Sequence, residues 1–170
     1  GDALHGTGFL VANDISASRA RALLRNLELF GITNGFVTNE TPAHLTDVFP
    51  EFFHKILLDA PCSGEGMFRK EEALARDWTP EKSHELSLIQ RELLLQAADM
   101  LRPGGMLLYS TCTFAPEEDE GAVSYLLENR PDMELVELPH KEGFSEGVPA
   151  WGNNAPILTR CVRLFPHKMN

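Results

Sequence analysis

Two cysteines in this sequence follow predicted strands, where a thiol is well placed to do chemistry. Cys62 comes after the apolar run at residues 54–59, and Cys112 comes after the apolar run at residues 106–110. If the two runs are neighbouring parallel strands, their ends lie about 4.8 Å apart and both thiols can address one ligand atom. A thiolate acts as a nucleophile or as a metal ligand, so the pair indicates covalent catalysis or a metal site.

The other metal-binding residue types give the metal alternative little support. The six histidines do not cluster at ligand spacing, and the three cysteines are an odd number without Cys-x-x-Cys spacing. We therefore expect neither a structural zinc site nor a disulfide framework, and a reducing cytoplasm is the expected compartment. Cys161 falls within a predicted last strand, where it is expected to be a small buried apolar residue.

Carboxylates close two of the predicted strands. Asp14 ends a buried run at residues 8–14, and Asp59 ends the run at residues 54–59. Ligands of an open parallel sheet bind at the carboxyl ends of its strands. A carboxylate at such a position can accept hydrogen bonds from both ribose hydroxyls of a nucleoside cofactor. Taken alone, Asp14 is equally typical of a solvated turn or a neighbour of a helix cap.

Predicted strands and helices alternate along the chain and would position these residues. Strands are predicted at residues 8–14, 36–38, 54–59, 106–110, 133–138 and 157–165. Helices are predicted from Ser16 or Ser18 to Phe30, after Pro42, from Thr79 to a turn at 102–105, and at 116–129. The helix after Thr79 carries an apolar stripe of Leu86, Ile89, Leu93, Ala97 and Met100. This alternation predicts an α/β fold with a mostly parallel sheet.

Composition places the chain among soluble globular domains. It has 170 residues, of which 43% are hydrophobic, and no apolar run is long enough to span a membrane. Residues 1–5 lack a basic stretch followed by an apolar core. We expect one domain over residues 1–170, with neither a membrane-spanning helix nor a signal peptide.

The formal net charge of −10 argues against a protein that holds nucleic acid by charge alone. The acidity is concentrated, because ten of the 25 acidic residues lie at residues 113–150. The first four of these, at residues 117–120, are expected at a helix start, where the helix dipole favours them. The basic residues expected on a near-neutral or basic rim are Arg69, Lys70, Arg160, Arg163 and Lys168.

Two segments resemble the signature motifs of a known protein family. Residues 59–70 read Asp-Ala-Pro-Cys-Ser-Gly-Glu-Gly-Met-Phe-Arg-Lys, and residues 109–118 contain Ser-Thr-Cys-Thr-Phe and Pro-Glu-Glu. They are similar to the NOL1/NOP2/Sun family of S-adenosylmethionine-dependent RNA cytosine-5 methyltransferases, above all to its bacterial branch acting on small-subunit ribosomal RNA. The resemblance runs from about Phe9 to His167. It implies a Rossmann-like class I methyltransferase sheet with helices on both faces.

The resemblance implies distinct catalytic roles for three residues. Cys112 would be the nucleophile that adds to C6 of cytosine, which converts C5 into a carbon able to accept a methyl group. Asp59 would hydrogen-bond the N3 edge of the base. Cys62 would assist release, when the C5 proton leaves and the C6–S bond breaks. The target base must be turned out of its stack to reach them.

The resemblance also implies binding residues. For S-adenosylmethionine they are Asp14 at the ribose, Arg19, Asn39 at the adenine, and Asp59. From the residues alone, Arg19 is equally typical of a charged side chain on the exposed surface of a helix. Asn39 stands where relatives of the family have an aspartate. For the RNA substrate the binding residues are Pro61, Arg69 and Lys70.

One family feature is missing from the sequence. The family binds the methionine end of its cofactor with a Gly-rich loop after the first strand, and no such Pro-Gly-Gly-Lys segment precedes Phe9. In the sheet implied by the resemblance, the missing strand lies between those ending in Asp14 and Asp59. We therefore expect an N-terminally incomplete domain that alone binds the cofactor weakly or not at all. Direct pairing of the flanking strands, a partner chain or a segment outside this sequence would close the gap.

Three functions remain open at this point. The first is the catalytic core of an RNA cytosine-5 methyltransferase, with additional RNA-binding domains in the parent protein, no metal and no membrane. The second is a small-molecule or protein methyltransferase, which would need neither loop cysteine. The third is a non-catalytic interaction or folding fragment.

Overall fold

The computed structural model describes residues 8–168, so residues 1–5, where no signal peptide is expected, lie outside the described range. The chain divides into two compact units, with the boundary between Pro50 and Glu51. Within residues 8–168, no helix is long and apolar enough to cross a membrane.

The first unit is built around two short parallel strands. Strand β1 (Leu10–Asn13) pairs in parallel with β2 (Gly35–Thr38), and helix α1 (Ala17–Leu29) connects them. Helix α2 (Pro42–Val48) follows β2. Gly31 has a φ of 63°, a left-handed conformation that glycine adopts freely, and it ends α1 as predicted.

The second unit contains the strands that carry the cysteine loops. Strand β3 (Phe53–Asp59) pairs in parallel with β4 (Leu101–Ser110), and Asp59 lies opposite Ser110 in the register. Helices α3 (Glu72–Arg76) and α4 (Pro80–Met100) lie between the two strands in the chain. Because the strands are parallel and end together, the loops that follow them leave the sheet at the same edge.

Helix α4 begins as its sequence predicts. Thr79 accepts a hydrogen bond from the Lys82 N–H, and Pro80 stands at the first helical position, where no N–H is needed. The buried face of the helix differs from the predicted apolar stripe, because Ile89 is 47% exposed. Along the helix, the first three buried residues are polar and the later ones are apolar: Ser83, Ser87, Gln90, Leu94, Ala97, Ala98 and Met100.

Helix α5 (Glu120–Asn129) begins later than the predicted start at Pro116, because residues 116–119 form turns. It packs against α4 in a core built from Leu94, Ala98, Ala122 and Leu126. The partly buried residues packed against this core are Leu58, Leu95, Leu107, Tyr109 and Met133. Both helices therefore hold the β3–β4 pair from one face.

The C-terminal region differs from prediction. Residues 133–138 form no strand, since their apolar alternation finds no partner strand in the described part of the chain. The predicted strand at residues 157–165 is reduced to β6 (Val162–Leu164), because Pro156 opens a 3-10 helix that ends at Arg160. Strand β6 pairs antiparallel with β5 (Phe144–Glu146), which lies in a predicted loop.

Candidate active site

The thiols of Cys62 and Cys112 lie together beyond the paired ends of β3 and β4. Their Sγ atoms are 3.0 Å apart, and the Cys112 N–H donates to Cys62 Sγ over 3.2 Å. Both cysteines are free; Cys62 is half-buried and Cys112 is exposed. One thiol of the pair is therefore open to a ligand, and the second lies directly behind it.

The surroundings of Cys62 keep it protonated. Burial raises the pKa of the Cys62 thiol to about 12, and its hydrogen bond with Cys112 contributes in the same direction. At neutral pH the Cys62 S–H can therefore donate to Cys112 Sγ while its sulfur accepts the Cys112 N–H.

Several hydrogen bonds join the two cysteine loops. Ser63 and Thr113, the residues that follow the two cysteines, share a buried hydroxyl–hydroxyl bond of 2.8 Å. The Gly66 N–H donates to the Cys112 carbonyl over 2.9 Å. A Cβ atom at position 66 would lie 2.9 Å from that same oxygen, so the close approach requires glycine. Glu65 accepts the Phe114 N–H through Oε2 at 3.0 Å.

The other predicted residues of this unit lie on the same loops. Asp59 is exposed at the end of β3, where its Oδ1 is 3.4 Å from the Ser110 hydroxyl. Pro61 is exposed, and its carbonyl accepts a hydrogen bond from the Gln90 side chain. Arg69 and Lys70 are exposed after the 3-10 turn at Glu65–Met67.

Glu118, one of the four acids predicted at a helix start, is a buried acid. It is fully buried and accepts hydrogen bonds from the Ser63 N–H at 3.0 Å, the Gln90 amide at 2.8 Å and the Ser83 hydroxyl at 2.7 Å. It precedes α5, which corrects its assignment to a dipole-stabilised helix start. The signal in the sequence is the spacing of Ser83, Ser87 and Gln90, which continues the buried face of α4 with polar residues.

Arg163 is also buried, which corrects its assignment to a basic rim. It is 5% exposed, pairs with Glu120 through two nitrogens, and donates to the Phe114 carbonyl at 3.0 Å. Its guanidinium lies 4.4 Å from the centre of the Trp151 ring. Burial alone would raise the pKa of Glu120, but the bonds from Arg163 and from backbone N–H groups, including that of Val148, together hold that pKa below its usual value. Arg163 thereby ties β6 to the Cys112 loop.

Asp119 holds the residue that precedes Cys112. Its Oδ1 accepts the Thr111 hydroxyl at 2.7 Å, and its Oδ2 lies 3.1 Å from Arg163. Burial raises the pKa of Asp119 to about 6, against the opposing effects of Thr111 and Arg163.

Cys161 is half-buried and lies just before β6 rather than within it. Burial raises its pKa to about 11.

In the first unit, Asp14 lies directly after β1. Its Oδ1 accepts the Ser16 N–H at 2.8 Å, and its Oδ2 accepts Arg19 Nε at 2.7 Å. The bond from Arg19 holds the pKa of Asp14 below its usual value, so Asp14 is a carboxylate at neutral pH. Each carboxylate oxygen keeps acceptor capacity beyond these bonds, which fits the hydroxyls of a ribose.

Asn39 lies beside the same turn. Its Nδ2 donates to the carbonyls of Asp14 and Ile15 at 2.8 and 2.9 Å, so its amide nitrogen holds the turn after β1. The side-chain oxygen is the group that can accept a hydrogen bond from an adenine amino group. Asn13 reinforces the connection, because its side chain bonds both backbone groups of Glu40.

Metal-ligating side chains do not gather in the described region. Among residues 8–168, no three His, Cys, Asp or Glu side chains lie close enough together to hold a metal ion. The arrangement around Cys62 and Cys112 is that of an exposed thiol beside a half-buried, protonated one.

Comparison with known proteins supports one family. The family model described as "16S rRNA methyltransferase RsmB/F" matches residues 2–170. A ribosomal RNA small subunit methyltransferase F of Escherichia coli O9:H4 (strain HS) is 43% identical over 163 residues, which are 96% of this chain and 33% of the relative. The chain therefore spans about a third of the length of the curated relatives it matches.

Solved structures give the same result for the fold. A methyltransferase homolog protein from Pyrococcus horikoshii superposes with a TM-score of 0.75 at 32% identity, over 94% of this chain and 48% of that one. The crystal structure of NSun6 from Pyrococcus horikoshii with SFG gives a TM-score of 0.74 at 32% identity, over 84% of this chain and 35% of that one. The expected Rossmann-like α/β fold class is confirmed.

Proposed function

This chain belongs to the 16S rRNA methyltransferase RsmB/F family, which confirms the resemblance to NOL1/NOP2/Sun proteins, and we propose that it forms part of an RNA cytosine-5 methyltransferase. The reaction would use S-adenosylmethionine and pass through a covalent bond between Cys112 and C6 of the base. The observation that carries this proposal is the 3.0 Å separation of the exposed Cys112 thiol from the half-buried, protonated Cys62 thiol. A methyltransferase that acts on an already nucleophilic atom needs neither thiol.

The proposed role of Cys112 follows from the chemistry of cytosine. C5 is a poor nucleophile, and addition of the Cys112 thiolate to C6, with a proton gained at N3, leaves an enamine with a C4=C5 double bond whose C5 can attack a methyl group. When bound, S-adenosylmethionine supplies that methyl group on a positively charged sulfur. Cys112 is exposed, so its sulfur is accessible to a base, and the Cys62 sulfur lies 3.0 Å from it.

The proposed role of Cys62 belongs to the release step. The C5 proton leaves to a base, the C5–C6 double bond re-forms, and the C6–S bond breaks to return a thiolate on Cys112. A thiol whose pKa is about 12 stays protonated and can donate a hydrogen bond to the departing sulfur. Asp59, exposed at the same sheet edge, is proposed to hydrogen-bond the N3 edge of the base.

Binding of the cofactor is proposed for the residues with matching acceptor groups. Asp14 offers an ionised carboxylate for the ribose hydroxyls, Arg19 orients that carboxylate, and Asn39 offers its side-chain oxygen to the adenine. Asp59 is proposed as a further contact of the cofactor. We also propose that both compact units belong to one catalytic domain.

The proposed substrate is small-subunit ribosomal RNA, in the cytoplasm. Support comes from the 43% identical relatives, which are ribosomal RNA small subunit methyltransferases. The exposed side chains of Pro61, Arg69 and Lys70 are the proposed RNA contacts beside the Cys62 loop. A chain of net charge −10 binds phosphate weakly, so most phosphate contacts are assigned to additional RNA-binding domains of the parent protein.

A pair of substitutions in the full-length protein tests this function. With 16S rRNA and S-adenosylmethionine, Cys62→Ala should accumulate a covalent RNA adduct that survives denaturing electrophoresis, because addition proceeds and release is blocked. Cys112→Ala should give no adduct and no methylation. Cys161→Ala is the matched control and should behave as wild type. Methylation that persists in both loop variants without any adduct would favour a small-molecule or protein methyltransferase.

A further inference from the structure

The carboxylate of Glu118 lies behind the cysteine pair without touching either thiol. It is fully buried, and its three hydrogen-bond donors come from the Cys62 loop and from α4. A buried carboxylate is unfavourable unless its oxygens are satisfied, so an apolar residue would pack here more simply if only packing were required. The polar donors Ser83 and Gln90 on the buried face of α4 match this carboxylate.

The bonds of Glu118 hold the backbone on both sides of Cys62. Glu118 Oε2 accepts the N–H of Ser63, the residue after Cys62. The same oxygen accepts the Gln90 amide, which also donates to the carbonyl of Pro61, the residue before Cys62. The peptide groups that flank Cys62 are therefore fixed by one carboxylate–amide pair.

Glu118 is also tied to the strand that leads to Cys112. Its backbone carbonyl accepts the hydroxyl of Tyr109 at 2.7 Å, and Tyr109 lies near the end of β4. Cys112 itself is held by other groups, because its carbonyl accepts the Gly66 N–H and the preceding Thr111 is held by Asp119. Loss of the Glu118 carboxylate should therefore displace Cys62 more than Cys112.

We propose that Glu118, acting with Gln90, is a positioning residue for the release step: it fixes Cys62 so that its S–H points at Cys112 Sγ. This inference rests on the proposed function of the two cysteines. A hydrogen bond weakens steeply as its geometry departs from the ideal, so a small shift of the Cys62 loop removes the donor from the departing sulfur. Addition of Cys112 to the base continues, because the Gly66 N–H and the Thr111–Asp119 bond hold the Cys112 loop without using the Glu118 carboxylate.

The experiment compares Glu118→Ala and Gln90→Leu with Cys62→Ala in the full-length protein. Covalent RNA adduct and turnover are measured on the folded fraction, with 16S rRNA and S-adenosylmethionine as probes. Leu126→Ala is the control for destabilisation, because Leu126 lies in the core and makes none of these bonds. Gln96→Ala is the control for helix α4. Within the described residues, the Gln96 side chain forms a hydrogen bond only with Glu92, which lies on the same helix.

Glu118→Gln is the conservative variant, and its expected behaviour follows from the geometry. The amide oxygen can stand at the Oε2 position and accept from Ser63 and Gln90. The amide nitrogen then faces the Ser83 hydroxyl, which can accept it and still donate to Glu117 at 2.9 Å. This variant should restore release to within a few-fold of wild type.

A positioning role and a merely structural role give opposite results. Positioning predicts that Glu118→Ala and Gln90→Leu accumulate at least tenfold more adduct than wild type while turnover falls, as in Cys62→Ala. The inference is overturned if both variants lose adduct and turnover together, in proportion to folded protein, as Leu126→Ala should. If Glu118→Ala does not fold, Gln90→Leu decides alone. Absence of adduct in Cys62→Ala itself would overturn the proposed function instead.

Discussion

The Sγ atoms of Cys62 and Cys112 lie 3.0 Å apart although fifty residues separate them in the chain. The register of two parallel strands produces this proximity, since β3 and β4 end opposite each other at Asp59 and Ser110. Each cysteine follows within three residues of its strand end. The pair is therefore a consequence of sheet topology, and the loops around it determine how the two thiols differ.

The two thiols should react at very different rates with an alkylating agent. Burial raises the pKa of Cys62 to about 12 and that of Cys161 to about 11. At pH 8 their thiolate fractions are then about one in ten thousand and about one in a thousand. Iodoacetamide should modify exposed Cys112 first, as measured by peptide mass spectrometry after short reaction times. Labelling of Cys62 ahead of Cys112 would contradict the assigned environments, and in urea the three rates should converge.

Gly66→Ala should displace Cys112, the proposed nucleophile, without changing any reactive group. The new Cβ would stand 2.9 Å from the Cys112 carbonyl oxygen, so the Gly66 N–H···O bond must lengthen and the two loops must separate. We expect adduct formation to slow by about tenfold or more, equivalent to about 1.4 kcal/mol or more in the barrier. Quench-flow measurement of adduct in the Cys62→Ala background checks this.

Gly104→Ala is the matched control for Gly66→Ala. Its Cβ would meet nothing within 4 Å, and only its φ of 75° is strained. The expected result is a small loss of stability with adduct formation unchanged. Equal slowing in the two variants would show that the Gly66 contact has no special part in placing Cys112.

Local sequence patterns are sufficient to predict the strand ends and the helix caps near the site. Strand β3, the Thr79 cap and the start of α4 follow such patterns, and the register of parallel strands brings Cys62 and Cys112 together. These features depend on residues close in sequence or on one strand pairing. Apolar periodicity and capping residues are therefore enough to place them.

The buried polar groups cannot be predicted in the same way. The sequence favours a surface position for Glu118 and Arg163, because a charged residue is normally solvated unless it is paired inside the fold. Their partners Gln90 and Glu120 lie 28 and 43 residues away in the chain, so no local pattern reveals the pairing. The predicted burial of Ile89 is wrong for the same reason, since the polar partners of Glu118 occupy the buried face of α4.

Asp14→Asn should weaken cofactor binding in the full-length protein. The amide keeps one oxygen, but it loses the ion pair with Arg19 and the negative charge proposed to bind the ribose hydroxyls. A hydrogen bond to a charged group contributes about 1.5–3 kcal/mol, so the Kd for S-adenosylmethionine should rise by about tenfold to a hundredfold. Isothermal titration calorimetry measures it. Arg25→Ala, an exposed substitution on the same helix, should leave the Kd unchanged.

Arg163→Ala should destabilise the fold far more than Arg160→Ala. Removal of the buried guanidinium leaves the Glu120 carboxylate with only the Val148 N–H as a donor and removes the Arg163 donor of the Phe114 carbonyl. Breaking a buried pair costs about 3–5 kcal/mol. Arg160 is exposed, and within residues 8–168 its side chain bonds only to the Leu135 carbonyl, so its removal should cost less than about 1 kcal/mol. Urea unfolding compares the two variants. Equal midpoints would show that the Arg163 pair contributes no stability.

Asp119 should make stability depend on pH in a direction opposite to that of an ordinary ion-paired acid. Its pKa in the folded state is about 6, above the value of 3.8 expected for an unfolded chain, so the folded state binds more protons between those values. The contribution of Asp119 to the free energy of unfolding therefore falls as the pH rises from about 4 to about 6. Asp119→Asn keeps an oxygen for the Thr111 hydroxyl but does not titrate.

The stability difference between Asp119→Asn and wild type should accordingly shift in favour of the variant as the pH rises. Two pKa units correspond to about 3 kcal/mol, which is the upper bound of the shift between pH 4 and pH 7. Urea unfolding at pH 4.5, 5.5 and 7, followed by the fluorescence of Trp78 and Trp151, measures it. A shift of opposite sign would mean that the attraction of Arg163, 3.1 Å away, outweighs burial and that the pKa of Asp119 is lowered.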